Sequence, residues 1–155
     1  MPRSADSPGV VVFPPLLFGA ALALGLVLHS IWPAHPLPSL HARAAGLALL
    51  AASALLARSG EAAMKRAGTS IRPDQPTLAL VSDGPFRFTR NPLYVALTGV
   101  YVGLALLLNA LWPLLLLIPV LGVLRWGVVA REERYLEAKF GEPYRAYKAR
   151  VRRWI

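Results

Sequence analysis

The chain is organised around one polar and aromatic segment, SDGPFRFTRNPLY at residues 82–94. A second polar segment, REER at residues 131–134, follows later in the chain. The residues between them, 95–130, are almost entirely apolar and are interrupted chiefly by Asn109 and Arg125. A helical crossing of a bilayer takes about 20 residues, so this stretch is long enough to cross and return. The two polar segments are therefore predicted to meet at one membrane face, where any chemistry should lie.

The composition indicates an all-α integral membrane protein of one domain, residues 1–155. Hydrophobic residues make up 55% of the chain and charged residues 16%, which is more apolar than a soluble domain of this size. The net charge of +9 is carried by Lys and Arg beside the apolar runs, a pattern typical of membrane topology rather than of nucleic-acid binding. The chain has no cysteine, which excludes a thiolate nucleophile and a cysteine-based metal site.

The apolar runs predict four transmembrane helices, at about residues 10–32, 40–58, 92–108 and 112–130. A cleaved signal peptide is the rival interpretation of the first run, but that run is longer than a signal core and lacks a clear cleavage site. Gly99 and Gly103 in the third run have the spacing of a close helix contact. Three histidines near residues 29–41 are separated by prolines and by the wrong spacing for a metal site. No metal is therefore predicted.

The basic residues predict the topology. Six Lys or Arg lie at residues 58–90, whereas the loop at residues 32–41 has none. By the positive-inside rule the connection at residues 59–91 and the tail at residues 131–155 are cytoplasmic, and so are both termini. The tail should stop its helix at Gly141 and restart, with one apolar stripe at Tyr144, Tyr147, Val151 and Trp154. This pattern favours an interfacial amphipathic helix on anionic membrane lipid.

Each polar segment has a structural and a functional interpretation. Asn91-Pro92 is a good helix start, since Asn is a preferred cap and Pro is favoured at the first helical position. Its neighbours Phe86, Phe88 and Tyr94 offer aromatic faces, and Arg87 and Arg90 offer planar donors for an anionic group. Glu132 and Glu133 could be a solvated helix surface, but carboxylates at a membrane end are costly unless paired, and the expected partners are Arg90, Arg131 and Arg134.

The combined pattern resembles a known family. Arg90-Asn91-Pro92-Leu93-Tyr94, a hydrophobic helical hairpin and Glu132-Glu133 are similar to the C-terminal signature of the isoprenylcysteine carboxyl methyltransferase and phospholipid methyltransferase group, and the closing FGEPYRAYKARVRRW is similar to the tails of small bacterial members. The resemblance covers roughly residues 77–155. Asn91 stands where the family signature has His, and Ala96 stands where it has Gly.

The resemblance implies an S-adenosylmethionine-dependent methyltransferase with a lipophilic or lipidated acceptor that carries a carboxylate or an amine. It implies that Glu132 and Glu133 meet the cationic part of the cofactor and that Arg90 and Glu133 are catalytic. The other wall is then formed by Arg90, Asn91, Pro92 and Tyr94. The full set of cofactor-binding residues predicted in this way is Gly84, Phe86, Arg90, Asn91, Pro92, Tyr94, Glu132 and Glu133.

Two other function classes remain open from the residues alone. One is a membrane reductase of the steroid-reductase type that uses NADPH, although no glycine-rich phosphate loop is present. The other is a non-enzymatic membrane interaction protein or a small transporter. Cation transport usually needs an acidic residue inside the bundle, and the predicted spans contain no Asp or Glu.

Overall fold

The computed structural model describes residues 8–72 and 75–155, and within these ranges the chain is helical without an extended strand. The all-α class predicted from the sequence is confirmed for this part of the chain. A 3₁₀ turn, Gly84–Arg87, precedes the third helix, and a π-helical segment, Leu124–Val129, joins the fourth to the fifth. The helices are α1 Pro14–Ile31, α2 Ser39–Arg66, α3 Pro92–Leu107, α4 Leu111–Val123, α5 Ala130–Phe140 and α6 Glu142–Arg150.

The second helix is longer than the apolar pattern predicts. α2 continues beyond Arg58 to Arg66, because residues 59–66 contain no proline and include good helix formers such as Ala, Met, Lys and Glu. The predicted connection at residues 59–91 therefore begins as helix, and residues 73–74 of it lie outside the described ranges. This correction places Glu61 on α2, so a long helix that was expected to lack acidic residues carries one.

The last long helix is continuous through an irregular segment. α4, the π segment and α5 form one continuous helix, Leu111–Phe140, of 30 residues, whose charged last part is α5. The stop predicted at Gly141 is confirmed, since the helix ends at Phe140 and Gly141 has a positive φ of 58°. The π segment was not predicted. The Gly127 carbonyl in it accepts a hydrogen bond from the Val11 N–H at 3.1 Å, so this irregular turn fixes the N-terminal segment against the helix.

Small residues allow the helices to approach closely. A Cβ atom on Gly46 of α2 would lie 2.7 Å from the Gly103 carbonyl oxygen of α3, and one on Gly99 would overlap the Ser53 hydroxyl. The predicted packing role of Gly99 and Gly103 is therefore confirmed. Gly25 makes the equivalent contact between α1 and α4, where a Cβ would lie 2.7 Å from the backbone of Pro113.

The connecting segments gather at two opposite ends of the bundle. At one end the loop after α1 meets the α3–α4 hairpin, where the Leu111 N–H donates to the Ala34 carbonyl at 3.0 Å. We call the other end the polar end; it comprises residues 8–13, 82–91 and 131–155. It is closed by a hydrogen bond from Arg131 Nη1 to the Gly9 carbonyl at 3.0 Å and by another from the Arg90 N–H to the Arg152 carbonyl at 2.9 Å.

Three helices are long and apolar enough to cross a membrane, namely Pro14–Ile31, Ser39–Arg66 and Leu111–Phe140. Their outward side chains stay exposed, for example Leu16 at 67%, Leu55 at 69% and Ile118 at 71%. An apolar surface of this kind needs lipid around it, so the chain is a membrane protein. Helix α3 is apolar as well, but it has only 16 residues, and its crossing stays a prediction.

The tail is arranged differently from the predicted interfacial helix. Helix α6 ends at Arg150, and Val151 adopts an extended conformation. Tyr144 and Tyr147 from the predicted apolar stripe are buried against the protein, at 2% and 4% exposure, and Trp154 packs against the hydrophobic core. The stripe therefore faces the bundle, because the polar end offers it a protein surface to cover.

Candidate functional site

A cavity of about 400 Å³ lies at the polar end and is bordered by α1, α2, α3 and α5. The predicted contact between residues 82–94 and residues 131–134 is present in its wall. Gly84 lies outside the lining, where its missing side chain faces Ala63 instead. Phe88 is 78% exposed and also lies outside. The other predicted site residues all line the cavity, and they are Phe86, Arg90, Asn91, Pro92, Tyr94, Glu132 and Glu133.

Glu133 is the centre of a buried ion cluster. The residue is 6% exposed, and its carboxylate accepts hydrogen bonds from Arg153 Nε at 2.9 Å and from Arg153 Nη2 at 2.7 Å. Arg90 Nη1 approaches the same carboxylate at 3.1 Å. A fork of two parallel bonds fixes both position and orientation. Glu133 is thereby matched by two guanidinium groups, which is what a buried carboxylate requires.

Two of the three partners predicted for the Glu pair lie elsewhere. Arg131 donates to the Gly9 carbonyl, and Arg134 Nε donates to the Ala130 carbonyl at 3.2 Å within its own helix. Both residues are exposed. Their helical positions, two before and one after Glu133, point away from the face that Glu133 shares with the cavity.

Arg90 has hydrogen-bonding capacity left over. Its side chain is 10% exposed, and its Nε and Nη1 atoms are buried without a hydrogen-bond partner. Nη1 is close to Glu133, but the angle does not meet hydrogen-bond geometry. Buried polar atoms without a partner are rare and costly in proteins. Arg90 therefore has donors that an acceptor group in the cavity would satisfy.

A second carboxylate contacts α3. The Tyr94 hydroxyl donates to Glu132 Oε1 at 2.5 Å, and both side chains line the cavity. Glu132 has no guanidinium partner among the described residues. Of the two adjacent carboxylates, Glu133 is committed to an ion cluster, whereas Glu132 keeps an oxygen for a ligand.

The C-terminal tail completes the wall beside Asn91. Residue 91 stands before α3, but its side chain does not cap the helix. Its Nδ2 donates instead to the Arg153 carbonyl at 2.8 Å, which also accepts from the Thr89 hydroxyl at 3.2 Å. Thr89 and Arg152 form a parallel bridge. Asn91 therefore connects the first polar segment to the tail, and the tail carries Arg153 to Glu133.

Two tyrosines and one arginine keep their protons in this wall. Burial raises the pKa of Tyr144 to about 12, and burial raises the pKa of Tyr147, whose hydroxyl donates to the Phe86 carbonyl at 2.8 Å. The hydrogen bond to Glu133 raises the pKa of Arg153. The charges and donors of the tail are thus constant over ordinary pH.

Sequence reasoning missed several residues of the site. Helical periodicity places Tyr144 and Tyr147 on the apolar stripe of an interfacial helix and gives Arg153 no role in the site, because it identifies one face of a helix but not the surface that packs on that face. Glu61 was placed in a loop. Nothing in the sequence identifies the partner of Arg153.

Two comparisons with known proteins match parts of this chain. Residues 41–143 match the family described as phospholipid methyltransferase, a range that contains both polar segments. A stretch of 27 residues is 67% identical to an uncharacterized protein of Haemophilus influenzae; it makes up 17% of this chain and 43% of the length of that relative.

Proposed function

We propose, from the premise that the chain belongs to the phospholipid methyltransferase family, that it transfers a methyl group from S-adenosylmethionine to a lipid-like or membrane-embedded acceptor. The family match confirms the resemblance seen in the sequence. The observation that carries the proposal is the joining of residues 82–94 to residues 131–134 in one cavity, through Arg90 with Glu133 and Tyr94 with Glu132.

The residues present fit this cofactor. A cavity of about 400 Å³ is within the usual range for small-molecule sites, about 300–1,000 Å³. Arg90 offers unused donors for a carboxylate, and Phe86 offers an apolar face for a ring. Glu132 provides negative potential for a cationic centre, because its carboxylate has no guanidinium partner among the described residues. The proposed binding set is made up of the predicted residues that line the cavity, and Gly84 lies outside it.

The cofactor supplies an electrophilic methyl group when it is bound, and the chain supplies position and exclusion of water. Methyl transfer is an in-line displacement, so alignment accounts for much of the acceleration. Arg90 and Glu133 act in this proposal by fixing the wall on which the reacting groups are aligned. A carboxylate acceptor needs no general base, whereas an amine must arrive unprotonated or lose its proton to a carboxylate or water.

The proposed acceptor is lipophilic because the cavity is open to apolar surfaces. Phe13 and Pro14 at the start of α1, together with Leu97 and Val100 of α3, line it. An acyl or prenyl chain could pass between such helices while its head group stays beside the polar segments. The identity of this acceptor, carboxylate or amine, is what the labelling experiment below determines.

The proposed topology has four crossings and one membrane domain over residues 1–155, with both termini on the cytoplasmic side. It is supported by the position of residues 8–13 and of the tail at the same polar end. Helix α3, with 16 residues, spans about 24 Å at 1.5 Å per residue, so it needs a locally thinned bilayer. The exposed Arg145, Lys148 and Arg152 favour contact with anionic lipid.

Ligand-dependent stability tests the proposal. The detergent-purified chain is heated with S-adenosylhomocysteine or with NADPH, since a ligand of the folded state raises the unfolding temperature. Stabilisation by S-adenosylhomocysteine is expected, and incubation with a radiolabelled methyl donor and total membrane lipids should label one lipid fraction. Stabilisation by NADPH alone would establish the reductase instead, and the absence of both effects would favour a non-enzymatic protein or a transporter.

A further inference from the structure

Besides Glu132 and Glu133, the cavity lining contains a third carboxylate, that of Glu61. Glu61 lies on the part of α2 that extends beyond the predicted span, and it lines the cavity together with Ala57 and Met64. These three residues are spaced by four and three positions, so they share one face of the helix. Glu61 is half-buried, and its face of α2 is turned toward the residues that begin α3.

The position of this carboxylate is fixed by packing. Gly60 is buried against α3, where a Cβ atom on it would lie 2.9 Å from Leu93 Cδ2. Leu93 belongs to the same short segment as Arg90 and Tyr94, and it also lines the cavity. This turn of α2 is therefore held against the wall of the site rather than free to turn away from it.

Glu61 has no partner of opposite charge. Arg58 and Lys65, three residues before and four after, are at the usual distances for a helical ion pair, yet both are exposed and neither pairs with it. No hydrogen bond or ion pair joins Glu61 to another side chain in the described ranges. The Glu61 carboxylate is therefore available to a cationic group of a ligand in this cavity.

Arg90 provides the second, independent observation in the same cavity. Its guanidinium is nine-tenths buried and has two donors without hydrogen-bond partners. The cavity thus presents an unpaired carboxylate and an under-used guanidinium at different points of its lining. A ligand with a cationic group and an acceptor group would satisfy both, because the Glu61 carboxylate then gains an opposite charge and the Arg90 donors gain an acceptor.

We infer that Glu61 is the binding subsite for an ammonium group of a ligand in this cavity. The inference rests on the proposed function, which offers two sources of this group: the amino-acid end of S-adenosylmethionine and the head group of an aminophospholipid. An ammonium donates to a carboxylate through short, charge-assisted bonds. Glu132, whose oxygen already accepts from Tyr94, is separate from this subsite.

Paired probes test the inference on the full chain in detergent micelles by titration calorimetry. S-adenosylhomocysteine is compared with 5′-methylthioadenosine, which lacks the amino-acid end with both its ammonium and its carboxylate, and short-chain phosphatidylethanolamine is compared with short-chain phosphatidylglycerol, which lacks the ammonium. The variant is Glu61→Gln, which keeps the shape and removes the charge. The matched control is Glu142→Gln, because Glu142 is 77% exposed and outside the cavity.

We expect Glu61→Gln to weaken one of the two ammonium probes about ten- to a hundredfold, with its ammonium-free counterpart and the Glu142→Gln variant unchanged. The probe that is weakened shows whether the ammonium group belongs to the adenosine cofactor or to the aminophospholipid. Equal affinities in the wild type and in Glu61→Gln would overturn the inference, as would loss of all four probes together, which indicates a general defect.

The same binding measurements distinguish a failure of the proposed methyltransferase function from a failure of the Glu61 subsite. If the wild type binds neither adenosine compound, the methyltransferase proposal falls, while Glu61-dependent binding of phosphatidylethanolamine would still establish the ammonium subsite. If S-adenosylhomocysteine binds and neither ammonium probe depends on Glu61, the subsite falls and the methyltransferase proposal stands.

Discussion

Substituting Arg153 by alanine should destabilise the folded chain by removing the fork that holds Glu133. Two hydrogen bonds, of 2.9 and 2.7 Å, would be lost, and Glu133 is only 6% exposed. Breaking a buried ion pair costs about 3–5 kcal/mol because the remaining charge is uncompensated.

Two features of the cluster reduce this figure. Arg153 is 30% exposed, so water can enter the space that its side chain leaves. Arg90 also remains at 3.1 Å from the carboxylate and can reorient toward it. We therefore expect a loss of about 2–3 kcal/mol in the free energy of unfolding. Arg153→Lys should lose less, about 1 kcal/mol, since it keeps the charge but not the fork.

Unfolding by sodium dodecyl sulfate in mixed micelles, followed by tryptophan fluorescence, measures the loss. The matched control is Arg152→Ala, because that side chain is exposed and the bond at residue 152 uses its backbone carbonyl. A double-mutant cycle with Glu133→Gln should give a coupling of at least about 1 kcal/mol. If Arg153→Ala were no less stable than Arg152→Ala, the assignment of Arg153 to the site would be refuted.

Three further changes test the fold and the tail by the same unfolding measurement. Gly46→Ala should lower the free energy of unfolding by about 1–3 kcal/mol, since its Cβ would meet the α3 backbone at 2.7 Å. The control Gly19→Ala, whose Cβ would have nothing within 4 Å, should be neutral or stabilising. Equal effects of the two substitutions would contradict the close packing of α2 on α3. Asn91→Ala should cost about 1 kcal/mol by losing its bond to Arg153, and an unchanged stability would mean that the tail is held by other contacts. Burial raises the pKa of Tyr144 from 10.0 to about 12, so the folded chain holds this proton more tightly than the unfolded chain does. The contribution of Tyr144 to the free energy of unfolding is therefore constant below pH 10.0 and falls as the pH rises toward 12. Tyr144→Phe should reduce that fall, and an unaltered pH profile would contradict the shift.

The sequence by itself determined the helical membrane class and the pairing of the polar segments. Apolar runs of bilayer length have few stable alternatives to helices, because every backbone group must be hydrogen-bonded within lipid. A hairpin of two such runs returns the chain to the face it left, so Arg90 and Glu133 had to lie near each other. The starts of α3 and α4 and the stop at Gly141 followed from proline, glycine and apolar patterns, whereas α1 begins at Pro14, after the predicted start near residue 10.

Only the tertiary structure decided which charges are satisfied. Local spacing placed Glu133 beside Arg131 and Arg134, but Arg153 reaches it after the chain turns at Gly141 and runs back along Thr89. The same packing turned Tyr144 inward and left Glu61 unpaired in the cavity. Pairing in a buried site depends on distances between elements that are remote in sequence, and periodicity within one element contains no information about them.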